Sequence, residues 1–497
     1  MLIRLAAAVL TAAAAAASAG PTPTMPFSEA GYGEMMERWR AVAERFGVPG
    51  AAIALIKDGE LVAIEGFGVR EGEEPVDPDT MFYIASVTKT YVATAIVQLA
   101  DRGRVDLDAP VRRYLPRFRL ADSVATETIT LRDLLSHAKG LNSGDAVLLD
   151  AYTGEITEDR YYRALRDSEP GGIEYTNVHY TILGRVIQAV TGQSWRDYLD
   201  EHVLEPAGLH RTTGYASEMY ADANAAFPMV REGDGFVVAD QVKTDAVMHA
   251  AGGMGASASD AARYLLMHLR DGEIGGTRII SASSAREMRG VTAAFDETQG
   301  RIRAMEGFGL AWFVGTWRGI TPYLNHGGGY IGTAAHYSML PEKGLGVVVL
   351  ANASPAGQGL CDIVSIDVYE RELEVEEPRD LVELYAERLA EIEAERADAV
   401  TRPRLSAADL SLPARAYAGR FVNPDLGTLT MGFDRGRLVG SLGMMRLDLS
   451  PGDSTDAFVV GSAWGEMRGR FEVENGRVTA IELTLDDDDE ASSFERE

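Results

Sequence analysis

Cysteine is almost absent. Cys361 stands alone in 497 residues, which excludes an intrachain disulfide framework and a Cys-rich zinc site. Lysine is scarce as well: only five of the 47 basic residues are Lys, so a motif built on lysine is hard to meet by accident. Positive charge is in deficit overall, because 47 Lys and Arg face 75 Asp and Glu and leave a formal net charge of −28. A field of that sign repels nucleic acid and anionic lipid surfaces. Beyond the N-terminus no stretch reaches the roughly 18 unbroken apolar residues of a membrane span. What remains is average: 46% apolar and 25% charged residues describe a folded globular chain, and at about 150 residues per domain its length holds two or three domains.

The first residues, MLIRLAAAVLTAAAAAASA, combine Arg4, an apolar stretch from Leu5 to Ala17 and a small-residue ending at Ala17-Ser18-Ala19. This is the layout of a secretory signal peptide (residues 1–19) cut near Ala19-Gly20, and it predicts a periplasmic or secreted protein. The alternative is an Ala-rich helix at a cytoplasmic N-terminus. No Cys follows the apolar stretch, so lipoprotein anchoring is excluded, and an exported single thiol calls for a buried Cys361.

Further along, AAIALIKDGELVAIEGFG reads as a strand, an Asp58-Gly59 turn and a returning strand. Val92 to Leu99 is nearly all apolar and predicts a buried helix with Ser86 at its start. Helical stretches then alternate with Gly-rich and Pro-rich loops, and strands return at FGLAWFV, TAAHYSML and LGVVVLANA. The pattern predicts an α+β catalytic domain over 26–375, an antiparallel sheet flanked by helices with a helical subdomain. A linker helix is expected within 376–410, where Leu381, Leu384, Tyr385, Leu389 and Ile392 recur at helical intervals. Short alternating segments and tight turns over 411–486 predict a small all-β barrel. Residues 487–497 read as a solvated acidic tail. A calcium loop is the weaker reading there, since the oxygen ligands and Gly do not fall in the required order.

Ser86-Val87-Thr88-Lys89 places a hydroxyl and an amine three residues apart, on one face of a helix. Burial at an apolar helix start favours neutral Lys89, which can take the Ser86 proton as the oxygen attacks a carbonyl. The helix N-terminus adds free N–H groups for the developing oxyanion. Ser136-His137-Ala138-Lys139 is an internal control with the same spacing. It ends a helix at Gly140, where the dipole has the wrong sign and no N–H is free, so Lys139 reads as a capping residue and Ser136 as structural.

Two further motifs follow in order, Tyr175-Thr176-Asn177 and His326-Gly327-Gly328, with gaps of 89 and 151 residues. With them the chain resembles the serine β-lactamase and penicillin-binding protein superfamily, on its class C, D-aminopeptidase and family VIII esterase side. That family has Ser-x-x-Lys, Tyr-x-Asn and a strand motif of Lys or His, small residue, Gly. The flanks LRDLLSHAKGL, LGRVIQAVTGQSWRDYL and AGGMGASASDAARYL are also similar, and the likeness runs from Gly31 to about Tyr369. The resemblance implies a β-lactamase/transpeptidase-like fold and Ser86 as the nucleophile of an acyl-enzyme. Lys89 would be its proton partner and Tyr175 a second acid-base group, its phenolate favoured by Lys89 or His326. Asn177, His326, Gly327 and Gly328 would bind substrate, and the N–H groups of Ser86 and Gly329 would form the oxyanion hole. No metal and no cofactor is implied. The linker helix and barrel resemble those of secreted members with a lipocalin-like appendage, expected to border the cleft or mediate self-association.

Competing readings separate on single features. His326-Gly327-Gly328-Gly329 mimics a lipase oxyanion loop, but that fold needs a Gly-x-Ser-x-Gly elbow, which the chain lacks. No His pair has zinc spacing among the eight His. Tyr323-Leu324-Asn325 repeats the second motif and reads as ordinary strand leading into His326. His326 stands where many β-lactamases and DD-peptidases carry Lys, which favours hydrolysis of small esters or D-amino-acid peptides over a dedicated β-lactamase or DD-peptidase. A sensor that acylates without turnover, or a pseudoenzyme, is the rival from another class.

Overall fold

The computed structural model describes residues 29–233, 235–247, 249–295, 303–376, 378–401, 403–434, 436–462, 465–484 and 491–497. The expected signal peptide and its cleavage site lie outside the described residues.

Gly50–Lys57 (β1) is buried along nearly its whole length, as a strand must be when both faces of its sheet are covered. Its side chains alternate between two cores: Ala52, Ala54 and Ile56 on one face, Ala51, Ile53 and Leu55 on the other. The Asp58-Gly59 turn, with both residues at positive φ, returns the chain as Glu60–Glu71 (β2), antiparallel to β1. The other neighbours come from far down the chain. Arg303–Phe308 (β3), Phe313–Trp317 (β4), Ile320–Tyr330 (β5), Thr333–Leu340 (β6) and Leu345–Ala351 (β7) form a meander. Its last strand pairs with β1, Ala51 opposite Ala351. Two-residue strands at each edge complete a nine-stranded sheet.

Helices cover both faces. Glu29–Phe46 (α1) packs on one side. Thr88–Asp101 (α2), Asn177–Thr191 (α3) and Ala258–Leu269 (α4) fill the other, and Ala356–Glu372 (α5) joins α1. In α2 every residue from Thr88 to Leu99 is buried, because the helical subdomain closes over the side that the sheet leaves open. Cys361 is buried in α5.

Val382–Thr401 (α6) connects this unit to the barrel and lays Tyr385 against it, the hydroxyl donating to Asp362 at 2.7 Å. Eight strands then close the barrel: Gly419–Asn423 (β8), Gly427–Asp434 (β9), Arg437–Leu442 (β10), Met445–Pro451 (β11), Ala457–Ser462 (β12), Gly465–Glu474 (β13), Arg477–Thr484 (β14) and Ser492–Arg496 (β15). Of the solvated tail expected over 487–497, residues 487–490 lie outside the described residues, and the last strand corrects the expectation for the rest. It pairs with both β8 and β14, and its one apolar residue, Phe494, points inward and is fully buried. The interior is filled by Phe421, Phe458, Phe471 and Phe494 with Met431 and Met467, so the barrel is a packed core.

Candidate active site

Ser86 sits in the single turn Ala85–Val87 that leads directly into α2. The residue before it, Ala85, is held at φ +46, a left-handed conformation that costs an L-residue about 1–2 kcal/mol. Strain of this kind at a single non-glycine residue points to a function for its neighbour. Strand β5 runs against the same turn: a side-chain carbon on Gly328 would collide with the Ile84 carbonyl and lie 3.3 Å from the Ser86 nitrogen. Glycine is needed there for close approach. A carbon on Gly327 would make only an ordinary contact with the Ala335 carbonyl at 3.9 Å, whereas one on Gly329 would meet the Gln358 amide at 2.7 Å.

Lys89, one turn into α2, is fully buried. Its Nζ lies 2.6 Å from the Ala251 carbonyl, 2.8 Å from Asn177 Oδ1 and 3.1 Å from Ser86 Oγ. The first two partners are carbonyl oxygens and can only accept. A neutral amine has two N–H groups, and both are used by them, so its lone pair is left for the one partner that carries a proton, Ser86. Burial pushes the Lys89 pKa down to about 7, opposed by the negative charge of Asp150. The geometry and the charge state agree on a base aimed at Ser86.

Tyr175 is half-buried between aromatic rings, 5.9 Å from Phe313 in near-parallel stacking and 4.6 Å from His137. Lys89 Nζ lies 4.9 Å from its ring centre. Burial pushes the phenol above its usual range, with the Ser86 hydroxyl pulling the other way. Burial therefore opposes the phenolate that the resemblance implies. His326 cannot supply the missing positive charge: it is 1% exposed, and burial, with Lys89 beside it, lowers its pKa to about 3. Its Nδ1–H donates to the Gly327 carbonyl at 2.7 Å.

The structure thus brings Ser86, Lys89, Tyr175, Asn177, His326 and the three glycines to one place. Of the control pair, Ser136 is buried and donates to the Arg132 carbonyl. Tyr323 packs on Trp317 and Tyr369 in the core. Sequence reasoning missed the layer behind Tyr175. There His137 Nδ1 shares a hydrogen bond with His179 Nδ1 at 2.8 Å and lies 3.4 Å from Thr176 N, both rings being buried and held neutral by that burial. His179 lies two residues after Asn177, but its partner is 42 residues away, and no local spacing announces such a pair. Among the described residues no cluster of His, Cys, Asp and Glu is arranged to hold a metal.

The beta-lactamase family model matches residues 38–363. Penicillin-binding protein 4 of Amycolatopsis lactamdurans is 32% identical over 352 residues, 68% of this chain and 89% of that protein. Among solved structures, the octameric penicillin-binding protein homologue from Pyrococcus abyssi is similar with a TM-score of 0.59 at 23% identity, covering 93% of this chain and 100% of its own. The D-amino acid amidase from Ochrobactrum anthropi SV3 is similar at 0.55 and 23%, covering 69% and 98%. At such identities these structures share the fold.

Proposed function

Because the chain belongs to the beta-lactamase family, we propose that it is a serine hydrolase acylated on Ser86, cleaving small esters or D-amino-acid amides and peptides. The carrying observation is Lys89, buried, with both N–H groups spoken for and its lone pair facing Ser86 Oγ at 3.1 Å. As Oγ bonds to the substrate carbonyl carbon, its proton passes to Lys89 Nζ. The oxyanion forms between the N–H groups of Ser86 and Gly329. Collapse breaks the bond to the leaving group, which takes its proton from the neutral Tyr175 phenol as Lys89 restores it. Water then enters by the reverse relay and releases the acid.

A neutral His326 offers no fixed cation for a substrate carboxylate, which supports ester or amide substrates over the β-lactamase or DD-peptidase alternative. Contacts between the barrel and the helical subdomain support a barrel that borders the cleft: Met444 N, in the β10–β11 turn, donates to Thr153 O at 2.8 Å, and Thr244 Oγ1 donates to Met444 Sδ at 3.6 Å. The N-terminal stretch supports export to the periplasm or beyond.

The test uses p-nitrophenyl acetate, D-alanine p-nitroanilide and nitrocefin with the wild type beside Ser86→Ala, and mass spectrometry for the adduct. Continued product release from the first two, lost by about 10³-fold or more in the variant, is the expected result. One equivalent followed by nothing identifies a sensor. Equal rates without an adduct overturn the hydrolase.

A further inference from the structure

One buried carboxylate lies behind the reacting centre. Asp150 is 1% exposed and sits in the widened helical turn Leu149–Thr153, a distortion that recurs at functional sites. Thr181 Oγ1, one turn along α3 from Asn177, donates to its Oδ2 at 2.7 Å. Its other oxygen, Oδ1, faces His249 Nε2 at 3.8 Å, and neither atom has a hydrogen-bond partner among the described residues. His249 opens the short helix His249–Gly252, whose Ala251 carbonyl accepts from Lys89. The carboxylate therefore stands between the two elements that supply the acceptors of Lys89.

We propose that Asp150 is a positioning residue for the Ser86–Lys89 pair: it is bonded to α3 one turn from Asn177 and faces the His249–Gly252 helix, and its buried negative charge favours a proton on the Lys89 amine without touching it. The inference rests on the serine hydrolase reading of the site. Asp150 is the one group whose charge favours protonated Lys89. The other titratable groups facing the amine are the rings of His137, His179 and His326, which burial, with Lys89 adding to it, holds neutral, and the phenols of Tyr175 and Tyr180. Asp150 itself also faces Lys243, Arg196 and the phenols of Tyr83 and Tyr161. Lys243 is 2% exposed, donates to the Ala151 carbonyl and lies under Tyr152 and Tyr330, 4.2 and 3.8 Å from their ring centres. Burial lowers its pKa as well, again with Asp150 as the opposing charge. One carboxylate serves two buried amines. A charge removed from this interior is felt strongly, since little water screens it.

The sign follows from the role of Lys89. Neutral Lys89 accepts the Ser86 proton, so acylation rises with pH through the amine's own titration near 7. Removing the negative charge makes protonation harder, so the midpoint moves down. Acylation of the full chain by p-nitrophenyl acetate, followed from pH 5 to 9, reads this directly. For Asp150→Asn a midpoint about one pH unit lower is expected, which is about tenfold more of the plateau rate at the acid end. Asp150→Glu keeps the charge and is expected to stay within a few tenths of the wild-type midpoint. If Asn fails to fold, Asp150→Ser, smaller and also neutral, is expected to show the same displacement. A neutral variant with a lower plateau and an unmoved midpoint would leave Asp150 merely structural and overturn the proposal. Failure of the hydrolase reading shows separately, as Ser86→Ala retaining the wild-type rate.

Discussion

The interior around Ser86 and the interior of the C-terminal barrel are built on opposite terms. Around Ser86 the fold buries an amine, a carboxylate and the three imidazoles of His137, His179 and His326, and leaves polar atoms of Asp150, His137, His179 and His249 without partners. The barrel encloses four phenylalanines and a row of aliphatic side chains. Its principal buried polar cluster is satisfied: Tyr417 OH donates to Asp456 Oδ1 and accepts from Leu412 N, while Ser411 donates to Asp456 Oδ2. Unpaired buried polar groups cost stability, and among the described residues they fall in the catalytic unit and not in the barrel. The barrel has the composition of a part selected to hold together.

Four substitutions test that contrast. The largest effect is expected for Lys89→Met, with acylation down by about 10³-fold or more and the fold made firmer. Because the folded amine has its pKa lowered from 10.5 to about 7, the folded state binds fewer protons than the unfolded chain between those values. Stability therefore rises with pH across that window, and the cost of burying the amine is present in full below it. Calorimetry should find the variant's melting temperature above wild type at pH 6, the gap narrowing toward pH 10. A variant that melts lower at pH 6 would remove the contrast.

Next comes Gly328→Ala. The added methyl meets the Ile84 carbonyl and pushes β5 off the Ser86 turn, with about a 10²-fold loss in acylation and near-UV circular dichroism unchanged. In the barrel, Phe471→Ala removes a ring packed on Phe458 and Tyr417 and should cost about 3–5 kcal/mol, measured by denaturant unfolding. The acylation rate per folded molecule should stay at wild type. The smallest effect is expected for Tyr417→Phe, about 1–2 kcal/mol, again without kinetic consequence. A catalytic defect in either barrel variant would mean that the two interiors are coupled.

What the sequence disclosed follows the same division. Ser86, Lys89 and Asn177 were legible because helix geometry converts three-residue spacing and motif order into neighbours in space. The hairpin at Asp58-Gly59 and the paired strands from Phe313 to Ala351 were legible because alternation is a local property. The charge of Tyr175 was not legible: its ionisation depends on burial among rings contributed by residues 137, 308, 313 and 326, and that burial outweighs the Ser86 hydroxyl. Asp150 and His179 carried no signal, since their partners are 31 and 42 residues distant. The final strand was hidden because an acidic run precedes it and a single apolar residue, Phe494, marks its inward face.

The pairing of Ala51 with Ala351 also governs when this protein becomes active during folding. That ladder closes a loop of about 300 residues, within which every residue of the catalytic centre lies, and contacts of such sequence separation form slowly. Helices can form beforehand, but His326 and Gly328 reach Ser86 only after the meander has docked. On dilution from denaturant, recovery of ellipticity should precede recovery of p-nitrophenyl acetate acylation, making the reaction itself a clock for the last stage of assembly.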